Sequence, residues 1–290
     1  MIACVRQFVL RKCGPTAKLI SMNERRVTES RRFSVLCGLL LSLLAPRRSW
    51  AEPLPAATDA FNRYVVAVEG RLGSQRRSPS TFVALAGSDD VRLLRGNVIV
   101  EKLTPAAGAE LPGALLHHWR GTAFAPGATA AEFEHMLRDF KEYPHKFSPQ
   151  VLEARVLTEQ GDLMQASMRV RQKHVLTVVM DTTYDVAFGR LDAKDGYSSS
   201  RSTRIYEIDA PGTSHEHVLS AAQEHGFLWR LNTYWTYEER DGGLYIQIES
   251  ISLSRSIPAG LGWAIRPFVE SVPRESLEFT LRSACNALRK

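Results

Sequence analysis

Cysteine is scarce in this chain, and most of it lies where no domain would form. Of the four cysteines in 290 residues, Cys4, Cys13 and Cys37 lie ahead of position 52 and only Cys285 lies beyond it. A disulfide framework is therefore excluded for residues 52–290, and stability there has to come from a hydrophobic core, which a chain of that length can supply. Long apolar runs are also missing. Phe33–Ala45 is too short to span a bilayer as a helix, which takes about 20 residues. No Gly-x-Ser-x-Gly elbow, no Cys/His pair at a supporting spacing and no glycine-rich phosphate loop opening a helix after a strand occurs. The basic excess is a third absence once the N-terminus is set aside. Ten of 37 Lys/Arg and two of 31 Asp/Glu fall in residues 1–51, which leaves 27 against 29, a net charge of −2. Nothing in that balance points to a nucleic acid partner.

What residues 1–51 do contain is an address. Arg31 and Arg32 precede the apolar run, and Ser49-Trp50-Ala51 follows it as a small-x-small cleavage site. The expectation is an exported protein, periplasmic or secreted, with the signal peptide cleaved after Ala51. Ser30-Arg31-Arg32 is similar to a twin-arginine signal, with the general secretory route as the alternative.

Beyond the leader, Thr58 is an expected cap for a helix carrying Phe61, Tyr64, Val65, Val68 and Leu72 at helical spacing, ended by Gly73 and the polar stretch after it. Val91–Leu103 reads as a strand or strand pair turning at Gly96-Asn97. Residues 52–112 are thus an accessory helix and strand segment, too short for a secure core of their own. Ala114–Ala125 is a strand, and Thr129-Ala130-Ala131-Glu132 is a capping box for a helix with Phe133, Met136, Leu137 and Phe140 on one face, stopped by Pro144. Val151–Thr158 is the next strand. Met164, Ala166, Met168 and Val170 alternate with polar residues in another, and the pattern continues from Leu176 to Phe188 and from Arg201 to Ile208. The serines 198–200 follow the turn at Asp192–Gly196 and read as solvated. Gly226–Glu239 places Phe227, Trp229, Leu231, Trp235 and Tyr237 on one face. Asp241-Gly242-Gly243 is a hairpin turn, after which Leu244, Ile246 and Ile248 alternate. Ile251 and Leu253 have the opposite parity, and a bulge near Glu249-Ser250 would return them to the same face.

The chain closes on a helix from Pro273. Leu277, Leu281, Ala284, Cys285 and Leu288 fall on one face of it, and Glu278, Arg282, Asn286 and Arg289 on the other. Cys285 on the apolar face is a buried, inert thiol rather than a nucleophile. An antiparallel sheet whose apolar face needs cover, followed by one amphipathic helix, makes that helix the lid.

Strand, capped helix, many antiparallel strands and one closing helix is the order of the START-like (SRPBCC) helix-grip superfamily. Leu137-Arg138-Asp139-Phe140-Lys141-Glu142-Tyr143-Pro144, with Phe147-Ser148-Pro149 and Val151, resembles the aspartate…tyrosine-proline…phenylalanine…proline run of coenzyme Q-binding and polyketide-cyclase relatives. The similarity covers residues 113–290. It implies an α+β fold, a curved antiparallel sheet of six to seven strands wrapped around a long C-terminal helix, with a cavity for an apolar ligand between them. The aromatic face of Trp229, Leu231, Trp235 and Tyr237 would then line a pocket, the alternative being solid core; Trp119, Tyr143, Phe147 and Met168 are further candidates, and Leu277 and Leu281 face them from the helix. The apolar stretch Ile257–Val269, whose prolines and glycines argue against a regular helix, reads as a gate using Leu261, Trp263 and Phe268, as a surface for peripheral membrane or partner contact, or as packing over the barrel end.

No cofactor is implied. His117 and His118 point to opposite faces of a strand, and His215 and His217 have no third ligand at a recognisable spacing, so no metal is implied either. Arg169, Arg204, Glu207, Arg230 and Glu249 alternate with apolar residues and are expected outward. The resemblance favours an exported carrier that binds or shuttles a lipid, isoprenoid or polycyclic molecule over an enzyme. A cyclase- or hydrolase-like enzyme using the same cavity, or an envelope interaction module with a closed core, are the alternatives.

Overall fold

The computed structural model describes residues 52–85, 89–103, 110–173, 177–257 and 262–289, with backbone alone for Pro79, Glu110 and 262–270. The expected leader lies outside the described residues, as does Leu261.

Among the described residues ten strands form one antiparallel sheet. They are β1 (Ile99–Lys102), β2 (Glu110–Leu111), β3 (Ala114–Pro126), β4 (Val151–Gln160), β5 (Leu163–Lys173), β6 (Thr177–Arg190), β7 (Asp195–Asp209), β8 (His217–Val218), β9 (Arg230–Arg240) and β10 (Gly243–Arg255). The spatial order is β1-β3-β10-β9-β7-β6-β5-β4, with β2 pairing β3 and β8 pairing β7. The helices are α1 (Pro55–Gln75), α2 (Asp89–Leu94), α3 (Ala130–Arg138), α4 (Tyr143–Lys146) and α5 (Gly262–Ala287). The fold is α+β and of the helix-grip kind: a curved antiparallel sheet with α5 on one face, and a few more strands than the six to seven expected.

Local chemistry sets the punctuation. The Thr129/Glu132 capping box forms in both directions, with Glu132 N–H donating to Thr129 Oγ1 and Thr129 N–H donating to Glu132 Oε2 at 3.0 Å. Asp241 and Gly242 both have positive φ, the geometry that joins β9 to β10 through a two-residue turn. Gly121 in β3 is needed for closeness: a Cβ there would sit 2.6 Å from Leu281 Cδ1 and 3.1 Å from Leu277 Cδ2, so α5 lies almost on the β3 backbone.

Several sequence expectations change. α1 begins at Pro55 with Leu54 as N-cap, not at a Thr58 cap, because proline at the first turn has its φ preset and loses no bond. The first four residues of Val91–Leu103 belong to α2 rather than to a strand. α3 ends at Arg138, before Pro144, which instead sits in the opening turn of α4. Ser198–Ser200 belong to β7, and Ser198 is buried. α5 is longer than expected and runs through Pro267 and Pro273, so most of the stretch read as a loop is helix. Each proline there forgoes one backbone bond, and the remaining ladder of a 26-residue helix persists around it.

The largest correction concerns the parity of β10. Its register against β3 and β9 runs without a break from Gly243 to Leu253, so no bulge lies at Glu249-Ser250. The bulges lie elsewhere, between β4 and β5 and between β6 and β7 at Thr183/Tyr184. Ile251 and Leu253 point to the other face, where they join Leu116, Tyr234 and Trp229 in a second core covered by Phe61, Val65, Val68 and Leu72 of α1. The sheet is therefore covered by helices on both faces: α5 and α3 on the concave one, α1 on the convex one.

Candidate functional site

The concave face can be built row by row from the strand registers, since directly opposed residues share a face. Gly196, Tyr237, Ile246 and Ala123 make one row across β7, β9, β10 and β3; Ser198, Trp235, Ile248 and Gly121 make the next. Both rows pack against apolar groups, with Gly196 and Tyr237 at the end of the first also bordering a cleft beside α3. Phe133 of α3 meets Trp235 and Tyr237 edge to face at 5.4 and 5.1 Å between ring centroids, and Leu277, Leu281 and Ala284 of α5 close over them.

The row above is different. Ser200, Thr233, Ser250 and Trp119 stand side by side, and the next row brings Leu231, Ser252 and His117 together. His117 is buried and lies 3.3 Å from Ser254 Oγ through Nε2. Trp119 is only 9 % exposed, and its indole N–H has no acceptor among the described residues. Hydroxyl groups, a histidine and a donor without a partner thus replace apolar packing on a face that is otherwise hydrophobic. Leu231 at its margin is half-buried, and Met168, on β5 opposite Thr182, is half-buried farther across the same side of the sheet. On the neighbouring strand burial pushes the Tyr184 hydroxyl up to about 12.

The expected ligand-lining residues divide. Trp119, Met168, Leu231, Trp235, Tyr237, Leu277 and Leu281 belong to the concave side. Tyr143 and Phe147 join the same core from α4 and the residue after it, in a stack with Phe140 (4.4 Å between Phe140 and Tyr143), and the Tyr143 hydroxyl donates to the Leu137 carbonyl at 2.8 Å. They are wedges between α3 and β4. Trp229 does not share a face with Leu231 and Trp235: it precedes β9, so strand parity does not bind it, and it lies in the convex core. Phe227, expected on that face too, is exposed. Trp263 and Phe268 fall in α5, where backbone alone is described. Burial raises the Cys285 thiol to about 11.

Glu207 and Glu249, expected outward, are buried. Glu207 accepts from the N–H groups of His225, Gly226 and Phe227 and from the His225 ring, and so clamps the loop ahead of β9. Glu249 is 1 % exposed on the convex side. It accepts from Arg120 Nη2 at 2.7 Å, from His118 Nε2 at 3.0 Å and from Arg71 of α1, and His118 Nδ1 lies 2.8 Å from the Tyr64 hydroxyl of the same helix. Burial opposes the charge, yet His118, Arg120 and Arg71 together hold the carboxyl down to about 2. Its shared parity with Ile251 and Leu253 was the signal for this position.

A third buried carboxylate, Glu134, borders a cleft of about 490 Å³ between α3 and the β6–β7 turn, with Arg138, Arg190 and Asp195. Glu134 accepts from Arg138 Nε (3.0 Å), Arg190 Nε (2.7 Å) and the Tyr237 hydroxyl (3.1 Å). Burial raises its pKa, and the bonds from Arg190 and Arg138 outweigh that and keep it ionised. A carboxylate so occupied has no proton to give near neutrality, whereas burial raises the carboxyl of Asp195, which borders the same cleft. Among the described residues no group of three His, Cys, Asp or Glu is placed to hold a metal, and no helix is long and apolar enough to cross a membrane.

No protein-family model matches the sequence, and no curated protein sequence matches it. Among solved structures the chain is similar to a STAR-related lipid transfer protein from Xanthomonas axonopodis, at 17% identity and TM-score 0.41 over 66% of this chain and 99% of that one. It is also similar to the Zhui aromatase/cyclase from Streptomyces sp. R1128, at 13% identity and TM-score 0.40 over 59% and 92%, and to a protein from Thermus thermophilus, at 11% identity and TM-score 0.43 over 58% and 94%. By its own topology, with a strand and a capped helix leading into antiparallel strands that a C-terminal helix closes, the chain has a START-like helix-grip fold.

Proposed function

We propose that this protein binds an apolar small molecule bearing a hydrogen-bond acceptor against the polar row of its concave face, beside α5, and that it does so as an exported protein released from its leader after Ala51. The observation that carries the reading is the Trp119 indole N–H, buried in the polar row with nothing among the described residues to accept from it. An unmet donor of this kind costs about 1–3 kcal/mol, and a ligand carbonyl, ester or quinone oxygen would return much of that. Ser200, Thr233, Ser250 and His117 around it supply further polar contacts for one end of the molecule, while Met168 and Leu231 offer adaptable apolar surface to the rest. The export half rests on the leader pattern alone. A binder or shuttle for a lipid, isoprenoid or polycyclic compound in the cell envelope is the function that joins the two.

Native mass spectrometry of the purified mature chain tests it. The expected spectrum shows a co-purifying organic adduct, and the empty protein takes up the neutral probe N-phenyl-1-naphthylamine saturably. Trp119→Phe keeps an aromatic side chain while removing the indole N–H and the five-membered ring that carries it, so it is expected to weaken retention of the natural adduct at least roughly tenfold, the value of one hydrogen bond of about 1.4 kcal/mol. A chain that emerges empty and ignores the probe refutes the reading.

A further inference from the structure

On the opposite side of the sheet a second cleft, of about 310 Å³, opens between the C-terminal end of α1 and β7. Four arginines border it, Arg76, Arg77, Arg190 and Arg201, against a single carboxylate, Glu69. The partners of these charges are unequal. Arg201 Nε donates to Glu69 Oε1 at 2.6 Å, which also accepts from the Tyr234 hydroxyl at 2.8 Å, so that pair is closed. Arg190 is committed to Glu134. Among the described residues Arg76 and Arg77 have no carboxylate partner. Arg76 donates to neutral groups, Thr236 Oγ1 at 2.9 Å and the Trp235 carbonyl at 3.1 Å, and lies over the Tyr197 ring at 4.5 Å, with Nη1 left over. Arg77 donates to Ser74 Oγ. Burial lowers the Arg76 guanidinium to about 10, a drop that the nearby Tyr197 and Glu249 offset only in part.

We propose that this cleft binds the phosphate group of an organic phosphate ester through Arg76 and Arg77. Two adjacent guanidinium groups present forked donors that match a phosphate's oxygens, and an anion entering the cleft repays the desolvation Arg76 already carries. Ser199 adds a hydroxyl at the wall. The volume equals that of about ten waters, more than a bare phosphate fills, which favours an ester with an organic part. Such a group reaches the cleft either on a soluble metabolite or as the headgroup of an anionic phospholipid. The site lies across the sheet from Trp119 and does not rest on the apolar-ligand reading. Loss of phosphate binding leaves uptake of the naphthylamine probe unchanged, and an empty concave face leaves phosphate binding unchanged.

The test uses the purified chain in low-salt buffer free of phosphate and sulfate. Calorimetric titration with glycerol 3-phosphate is one arm, and flotation with phosphatidylcholine vesicles, with and without phosphatidylglycerol, is the other. Arg77→Glu is the informative variant because Arg77 is exposed and its replacement leaves the fold intact. Arg63→Glu, also exposed on α1 but outside the cleft, makes the same charge change elsewhere. Saturable binding of glycerol 3-phosphate that falls at least tenfold in Arg77→Glu and not in Arg63→Glu supports a soluble ester. Flotation dependent on phosphatidylglycerol with the same variant pattern supports the headgroup. Absence of binding in both arms, or equal losses in the two variants, overturns the proposal.

Discussion

Replacing Glu249 by glutamine probes how the N-terminal helix is held to the sheet. The side chain keeps its shape and loses its charge, while Arg120 and Arg71 keep theirs and, with His118, lose the carboxylate they surround. The size of the effect follows from the displacement of the carboxyl, from an ordinary value of 4.5 to about 2. At 1.36 kcal/mol per unit this gives about 3 kcal/mol, the lower end of what breaking a buried pair costs. The sign is fixed as well. A carboxyl whose folded value is depressed contributes fully above its unfolded value, and the contribution is lost as pH falls through the folded one. The wild-type chain is therefore expected to exceed Glu249→Gln by about 3 kcal/mol at pH 7 and by the same amount at pH 5. The gap then narrows below roughly pH 4.5 and closes near pH 2. Urea unfolding followed by tryptophan emission reads this as a shift in midpoint of roughly 1 M that vanishes in acid. A gap of equal size at pH 7 and pH 2.5, or none at either, refutes an ionised Glu249 as the latch.

Three further outcomes follow from packing. Gly121→Val puts a branched side chain where a single Cβ already meets Leu281, and is expected to lower stability by roughly 1–3 kcal/mol, or more if α5 lifts, read as a drop in Tm. Phe61→Ala empties the largest apolar position of α1 in the convex core and is expected to cost about 3–5 kcal/mol in chemical unfolding. Cys285, pushed up to about 11 and turned toward the Phe124 carbonyl, is expected to react with a thiol reagent at pH 8 far more slowly in the native protein than in urea; equal rates would place it at the surface.

The concave half of this fold was legible because its signals are local. Alternation in β5, β6 and the start of β10, the Thr129/Glu132 box and the Asp241-Gly242 turn each state one answer within ten residues. The convex half was hidden by a relation between distant segments. Ile251 and Leu253 looked misplaced only on the assumption that one face is buried; with α1 on the other face they are in register, and the charge at Glu249 is buried by the same parity. The helical spacing of Phe61, Val65, Val68 and Leu72 announced an apolar stripe without saying which surface it would cover. Pro267 and Pro273 misled for a different reason: a proline's local penalty is real, and tertiary packing of a long helix overrides it.

The same contrast bears on the ligand. This chain buries carboxylates readily and then pairs them thoroughly: Glu249 has three side-chain donors, Glu134 two arginines and a tyrosine, Glu207 three backbone N–H groups and a histidine. A sequence that resolves three such demanding cases has no shortage of means to satisfy one indole. Among the described residues the Trp119 N–H is nonetheless the buried side-chain nitrogen left without an acceptor. It occurs on the face that α5 covers, in the row where apolar packing gives way to hydroxyls. The proposed ligand oxygen would account for that place, because it would meet the donor that the fold itself leaves open.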